Sequence, residues 1–143
     1  MTDVYSRAKR SEVMRRVRAT GGGLEQRVFE LARAAGARLR RNAKELPGEP
    51  DLVAPAPRVA VFVHGCFWHQ HACPRGARRP SSNVDYWRAK LERNVRRDRR
   101  VARELRAQSW TVVTVWECQL AHPERVRRRL LRYLAPAVDR TAR

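Results

Sequence analysis

Three of the four histidines and two of the three cysteines of this 143-residue chain fall within residues 64–73, His-Gly-Cys-Phe-Trp-His-Gln-His-Ala-Cys. No other feature restricts the fold as much. The block is irregular, and its residue types are those of a metal loop. Thiolate and imidazole in one loop point to a tetrahedral structural zinc. Cys66, His71 and Cys73 supply three ligands. The remaining cysteine, Cys118, lies just past the β-branched run at residues 111–116. If that run pairs beside residues 59–63, Cys118 becomes the fourth ligand. A closed set of four protein ligands leaves no open position, so this zinc holds the loop rather than doing chemistry.

The rest of the chain supplies elements to carry that loop. Ser11 followed by Val13, Met14 and Val17 predicts a short capped helix. Gly21 to Gly23 break it. Leu24, Val28 and Leu31 recur at helical spacing, which predicts an amphipathic helix ending near Gly36. Residues 37–41 predict a short strand, and residues 51–54 a second. Pro55 and Pro57 bracket a turn before residues 59–63, an apolar run with the length of a buried strand. From residue 83, Val84, Trp87, Leu91, Val95, Val101 and Leu105 form one helical stripe, with Arg on much of the remainder. Residues 111–116 read as a third core strand. Pro123 opens a last helix, with Val126, Leu130 and Leu134 inward and Pro136 as its stop. The fold class predicted is α/β: a sandwich around a small mixed sheet, in a single domain spanning residues 1–143, with residues 139–143 a frayed tail.

Charge narrows the partners. Thirty-two Lys and Arg against 14 Asp and Glu leave +18, an excess that a polyanion neutralises best. Only Lys9, Lys44 and Lys90 are lysines, so the cationic groups are almost all guanidinium forks suited to phosphate. No apolar run reaches the roughly 20 residues needed to span a bilayer, and residues 1–10 carry no apolar signal core. The expected location is the cytoplasm. An odd cysteine count there fits metal or catalytic thiols better than a disulfide framework.

Two further groups bear on chemistry. Asp51 opens a strand next to one that ends in His64. A carboxylate so placed can hold Mg²⁺, which prefers oxygen ligands, against a phosphate. His69, freed if zinc takes His71, is a candidate general base. Glu25 is a candidate second carboxylate. Each also has a plainer reading, Asp51 as a turn residue and Glu25 as a helix N-terminal charge. Phe67 and Trp68 either cap a small core or insert between base pairs. The Arg face of the long helix either faces solvent or contacts phosphates.

These residues resemble a known family. Pro50-Asp51, the block from Phe62 to Cys73, Tyr86-Trp87 with Lys90 and Asn94, Arg97-Asp98 and Trp116-Glu117-Cys118 are similar to the very-short-patch-repair DNA mismatch endonucleases. So is the stretch from Arg10 to Arg15, with Glu25 beyond it. The resemblance implies a restriction-endonuclease-like fold. It implies Mg²⁺-dependent nicking of one strand of duplex DNA next to the thymine of a T·G mismatch, which arises when 5-methylcytosine deaminates. It implies that Asp51 and the Val63 carbonyl bind Mg²⁺, that His69 is the base, and that His64 and Glu25 support them. It implies too that Cys66, His71, Cys73 and Cys118 hold Zn²⁺ and that Phe67, Trp68 and Met14 are wedge positions, with residues 1–20 a DNA-contacting arm. The expected protein is a bacterial, nucleoid-associated monomer with no membrane partner. Two rivals are a related restriction-type nuclease and a non-catalytic, zinc-stabilised DNA-binding module.

Overall fold

A computed structural model describes residues 23–34, 36 and 38–134. The predicted helix near Ser11, the wedge position Met14, the arm at residues 1–20, the stop at Pro136 and the tail at 139–143 lie outside the described residues. The elements run α1 (Gly23–Arg33), β1 (Arg40–Arg41), β2 (Leu52–Ala54), β3 (Val59–His64), α2 (Val84–Ala107), β4 (Thr111–Trp116), a short 3₁₀ turn (Glu117–Ala121) and α3 (Pro123–Leu134). The strands form one mixed sheet in the order β1-β2-β3-β4. The first two pairings are antiparallel and the β3–β4 pairing is parallel. A parallel neighbour requires a crossover, and the 65–82 loop with α2 supplies it.

Period-2 alternation divides β3 between two cores. Val59 and Val61 face one side, with Val113 and Val115 of β4, Val28 and Ala32 of α1, and Val126, Leu130 and Leu134 of α3. Ala60 and Phe62 face the other, with Val101 and Leu105 of α2 and Trp110. The result is the expected sandwich, with α1 and α3 on one face and α2 on the other. The core under α2 is the smaller one. It leaves the C-terminal ends of β3 and β4 open beneath that helix, where His64 and Trp116 emerge.

Boundaries differ from expectation in small ways. Helix α1 stops at Arg33, and the Gly36 N–H returns to the Arg33 carbonyl at 3.0 Å. The expected 37–41 strand reduces to Arg40–Arg41. Val84, placed in the apolar stripe, is exposed at the first turn of α2, while Trp87, Leu91, Val101 and Leu105 are buried. The 3₁₀ turn carrying Cys118 has no sequence signal of its own. Among the described residues no helix is long and apolar enough to cross a membrane.

One glycine sets how closely α2 approaches the site. Gly48 lies at φ +74°, and a Cβ there would sit 2.3 Å from Val101 Cγ1. Gly48→Ala is expected to cost about 1–3 kcal/mol for the overpacked contact and about 1–2 kcal/mol for the left-handed backbone. Urea melts check this. In the Gly48→Ala, Val101→Ala double variant the losses should be less than additive, because the second change relieves the contact. Strict additivity would show that α2 does not rest on Gly48.

Candidate active site and metal centre

A cavity of about 1070 Å³ opens between α2 and the sheet, and Glu25, Asp51, His64, His69 and Asp98 all line it. The β2–β3 register, Leu52 opposite Val61, puts Asp51 beside Val63. The Val63 N–H donates to Asp51 Oδ2 at 2.7 Å. Glu25, in the first turn of α1, shares a hydrogen bond with Asp51. Burial, and then the neighbouring Asp51 charge, push the Glu25 carboxyl up to about 7. Burial also raises Asp51, although the Val63 N–H and the Glu25 hydrogen bond work against it. Two carboxylates in one partly buried contact cannot both ionise cheaply without a cation. An oxygen set of this kind suits a hard divalent ion such as Mg²⁺.

His69 is held from the other side of the cavity. Its Nδ1 lies 2.7 Å from Asp98 Oδ2 on α2. A carboxylate only accepts, so Nδ1 carries the proton and Nε2 presents its lone pair. The His69 ring stacks on His64 with centroids 3.7 Å apart and planes 5° from parallel. Burial, and then the neighbouring His69, lower the His64 imidazole to about 4 against the opposing pull of Asp98, so His64 is a neutral ring. Asn94, one turn before Asp98, donates to the Trp68 carbonyl at 2.9 Å and ties α2 to the loop.

Cys66, His71, Cys73 and Cys118 converge, with their ligand atoms all within 4.8 Å of one another. Parallel pairing brings this about. His64 lies opposite Trp116, so the chains leaving β3 and β4 emerge side by side. His71 Nδ1 is 3.7 Å from Cys66 Sγ and 3.5 Å from Cys118 Sγ. Zinc bonds of about 2.0–2.3 Å in a tetrahedron give edges of roughly 3.5–3.8 Å, so the donor set fits that ion. Burial pushes the Cys66 thiol up to about 12. A nearby cation would offset that cost and favour the Cys66 thiolate.

The surroundings of this centre include residues to which sequence reasoning gave no role. Glu117 accepts the Cys66 N–H at 3.3 Å and pairs with Arg75 at 3.1 Å. The Gly76 N–H donates to Cys73 Sγ at 3.4 Å. A Cβ on Gly76 would lie 1.8 Å from the His71 carbonyl oxygen, so only glycine closes the loop there. Asp98 was visible only as part of an Arg-Asp pair among many arginines, a pattern with no signal for a role.

Phe67 and Trp68 are half-buried rather than free. Both pack on the buried Trp87, at centroid distances of 5.8 and 5.6 Å. The Lys90 ammonium lies 5.6 Å from the Trp68 ring centroid. The aromatics therefore form one cluster with α2 at the rim of the loop.

An α/β sandwich whose paired carboxylates and carboxylate-held imidazole share an arginine-lined cavity defines a class, a compact domain with an acid–base site in a basic cavity. Comparison with known proteins gives the family. The family model described as DNA mismatch endonuclease Vsr matches residues 2–75, and the chain belongs to that family. It is similar to the type II nicking enzyme V.XorIIP of Xanthomonas oryzae pv. oryzae, 42% identical over 137 residues, 96% of this chain and all of that protein. It is 37% identical over 139 residues to the type II nicking enzyme V.NmeAIP of Neisseria meningitidis, covering 97% of this chain and 99% of that protein. The DNA mismatch endonuclease Vsr of Escherichia coli is 37% identical over 126 residues, 88% of this chain and 80% of that one.

Proposed function

We propose that this chain nicks one strand of duplex DNA next to the thymine of a T·G mismatch, by Mg²⁺-dependent hydrolysis on a restriction-endonuclease-like fold. It acts as a monomer on nucleoid DNA in the bacterial cytoplasm. One observation carries the reading: the Asp51–Glu25 pair and the His69–Asp98 pair face the same cavity. The names of the relatives, mismatch endonuclease and nicking enzyme, support it.

In this reading Asp51 and the Val63 carbonyl hold Mg²⁺, with Glu25 and His64 in support. When bound, the ion polarises the phosphodiester and lowers the pKa of an attacking water. His69 Nε2 takes that water's proton, and Asp98 stabilises the imidazolium through the Nδ1–H. Cys66, His71, Cys73 and Cys118 hold a structural Zn²⁺ that stiffens the loop. The deciding experiment incubates T·G and matched duplexes with Mg²⁺ or with EDTA. Nicking of the T·G duplex alone, and only with Mg²⁺, is expected. Equal cutting of both duplexes would mean a restriction-type nuclease, and binding without cutting a non-catalytic module.

The same reading gives Phe67 and Trp68, with Met14 from the opposite groove, the task of probing the base stack. A mismatched step resists unstacking less than a matched one. Trp68→Ala is expected to weaken binding to T·G duplexes more than to matched ones. Its salt dependence should barely change, since no phosphate contact is lost. Titrations at several salt concentrations check this. Equal weakening on both duplexes would return Phe67 and Trp68 to a packing role on Trp87.

A further inference from the structure

Most arginines outside α2 whose contacts are resolved do structural work. Arg27 donates to the Leu120 carbonyl, Arg129 to the Thr114 carbonyl, and Arg127 pairs with Glu124. One stripe on α2 differs. Arg88, Arg96, Arg99, Arg103 and Arg106 recur at i, i+8, i+11, i+15 and i+18, with Glu92 on the same face and Asp98 and Glu104 to either side of it. All five are exposed, and among the described residues none makes an ion pair or a side-chain hydrogen bond. Like charges one turn apart destabilise a helix. The stripe is therefore poised for an anionic partner.

The stripe also lines concave space rather than a convex surface. Arg96, Arg99, Arg103 and Arg106 edge the cavity that holds Asp51 and His69. A second cavity of about 520 Å³ continues on the other side of Arg96 and Arg99, between Arg88 and the loop residues Gln70 and Arg79. Arg79 is oriented there by hydrogen bonds to the Gly76 and Arg78 carbonyls, each 2.8 Å. The two cavities share Val95, Arg96 and Arg99, so they form one trough along α2. From Arg88 to Arg106 the trough is about 27 Å long at 1.5 Å per residue.

We infer that this trough carries the phosphate backbone of the strand bearing the mismatched thymine, with Arg96 and Arg99 flanking the phosphate presented to Asp51 and His69. Resting on the nicking reading, the argument is steric and electrostatic. A phosphate that reaches Asp51 belongs to a backbone that must leave the centre in both directions. Guanidinium groups line both arms of the trough, with Arg103 and Arg106 in one and Arg88 and Arg79, beside the single carboxylate Glu92, in the other.

The test measures affinity of the whole protein for T·G and matched duplexes in EDTA, across a salt series. Each phosphate contact contributes about 0.9 to the slope of log K against log salt. The Arg96→Gln, Arg99→Gln double variant should lower the slope by roughly 1.8 on both duplexes, so a fourfold rise in salt costs it about 12-fold less affinity than wild type. Arg96→Lys with Arg99→Lys should restore most of the slope. Arg125→Gln with Arg132→Gln on α3, an equal change of charge, should leave it unaltered. Neutral methylphosphonate linkages are then placed on one strand at a time. They should weaken wild-type binding on the thymine strand and add little in the Gln variant. An unchanged slope, or sensitivity confined to the complementary strand, overturns the inference. Cleavage is not needed for either measurement, so a protein that shows these slopes but cuts nothing overturns the nicking reading alone.

Discussion

Nicking of a T·G duplex is expected to fall by roughly 10²–10⁴-fold in His69→Ala and to disappear in Asp51→Asn, with duplex affinity in EDTA little changed. The split follows from where the groups sit. Asp51 is a partly buried carboxylate occupied by Glu25 and the Val63 N–H, and His69 is a half-buried ring fixed by Asp98. Neither belongs to the arginine surface inferred above to bind the phosphate backbone. Asp51→Asn keeps the shape and removes the charge a divalent ion requires. Gel assays of nicking beside equilibrium binding on the same duplex separate the two effects. A wild-type rate in either variant would remove that residue from the mechanism, and a parallel loss of binding would make its role structural.

Cys118→Ala is expected to lower bound zinc from one per chain and to destabilise the fold by several kcal/mol. Structural zinc contributes apparent free energies of about 10–16 kcal/mol in small zinc-dependent folds, and one lost ligand forfeits a substantial part of that. The effect should be large here because Cys118 is the one ligand outside the loop. It sits in the 3₁₀ turn after β4, so a metal bond there would join the loop to the sheet. Elemental analysis with urea melts, on wild type and variant, checks both halves. Wild-type protein without zinc, with all three thiols reacting freely in the native state, would defeat the assignment.

Much of this fold was legible from short stretches of sequence. Val59 to Val63 announced a buried strand because a continuous apolar run of that length has no exposed face to offer. Val126, Leu130 and Leu134 announced α3 because their spacing makes one buried stripe, and all three are buried. The dense Cys and His loop stood out through the chemistry of its residues, and Cys66, His71 and Cys73 converge there with Cys118. Gly48 and Gly76 were opaque for the opposite reason. Each is required by a close approach from elsewhere, Val101 on α2 in one case and the His71 carbonyl in the other.

By itself the sequence determined what neighbours along the chain can determine: the periodicity of each helix and strand, the net charge, and the crowding of His64, Cys66, His69, His71 and Cys73 into one loop. Tertiary structure alone decided how distant groups meet. Cys118 reaches Cys66 across 52 residues because β3 and β4 pair in parallel with His64 opposite Trp116. His69 reaches Asp98 across 29 residues because α2 packs over the open end of that sheet. The physical reason is that a side chain's pKa, tautomer and hydrogen-bond partner depend on what lies within a few ångströms in space. One carboxylate in a run of arginines carries no mark in sequence of the imidazole it will face.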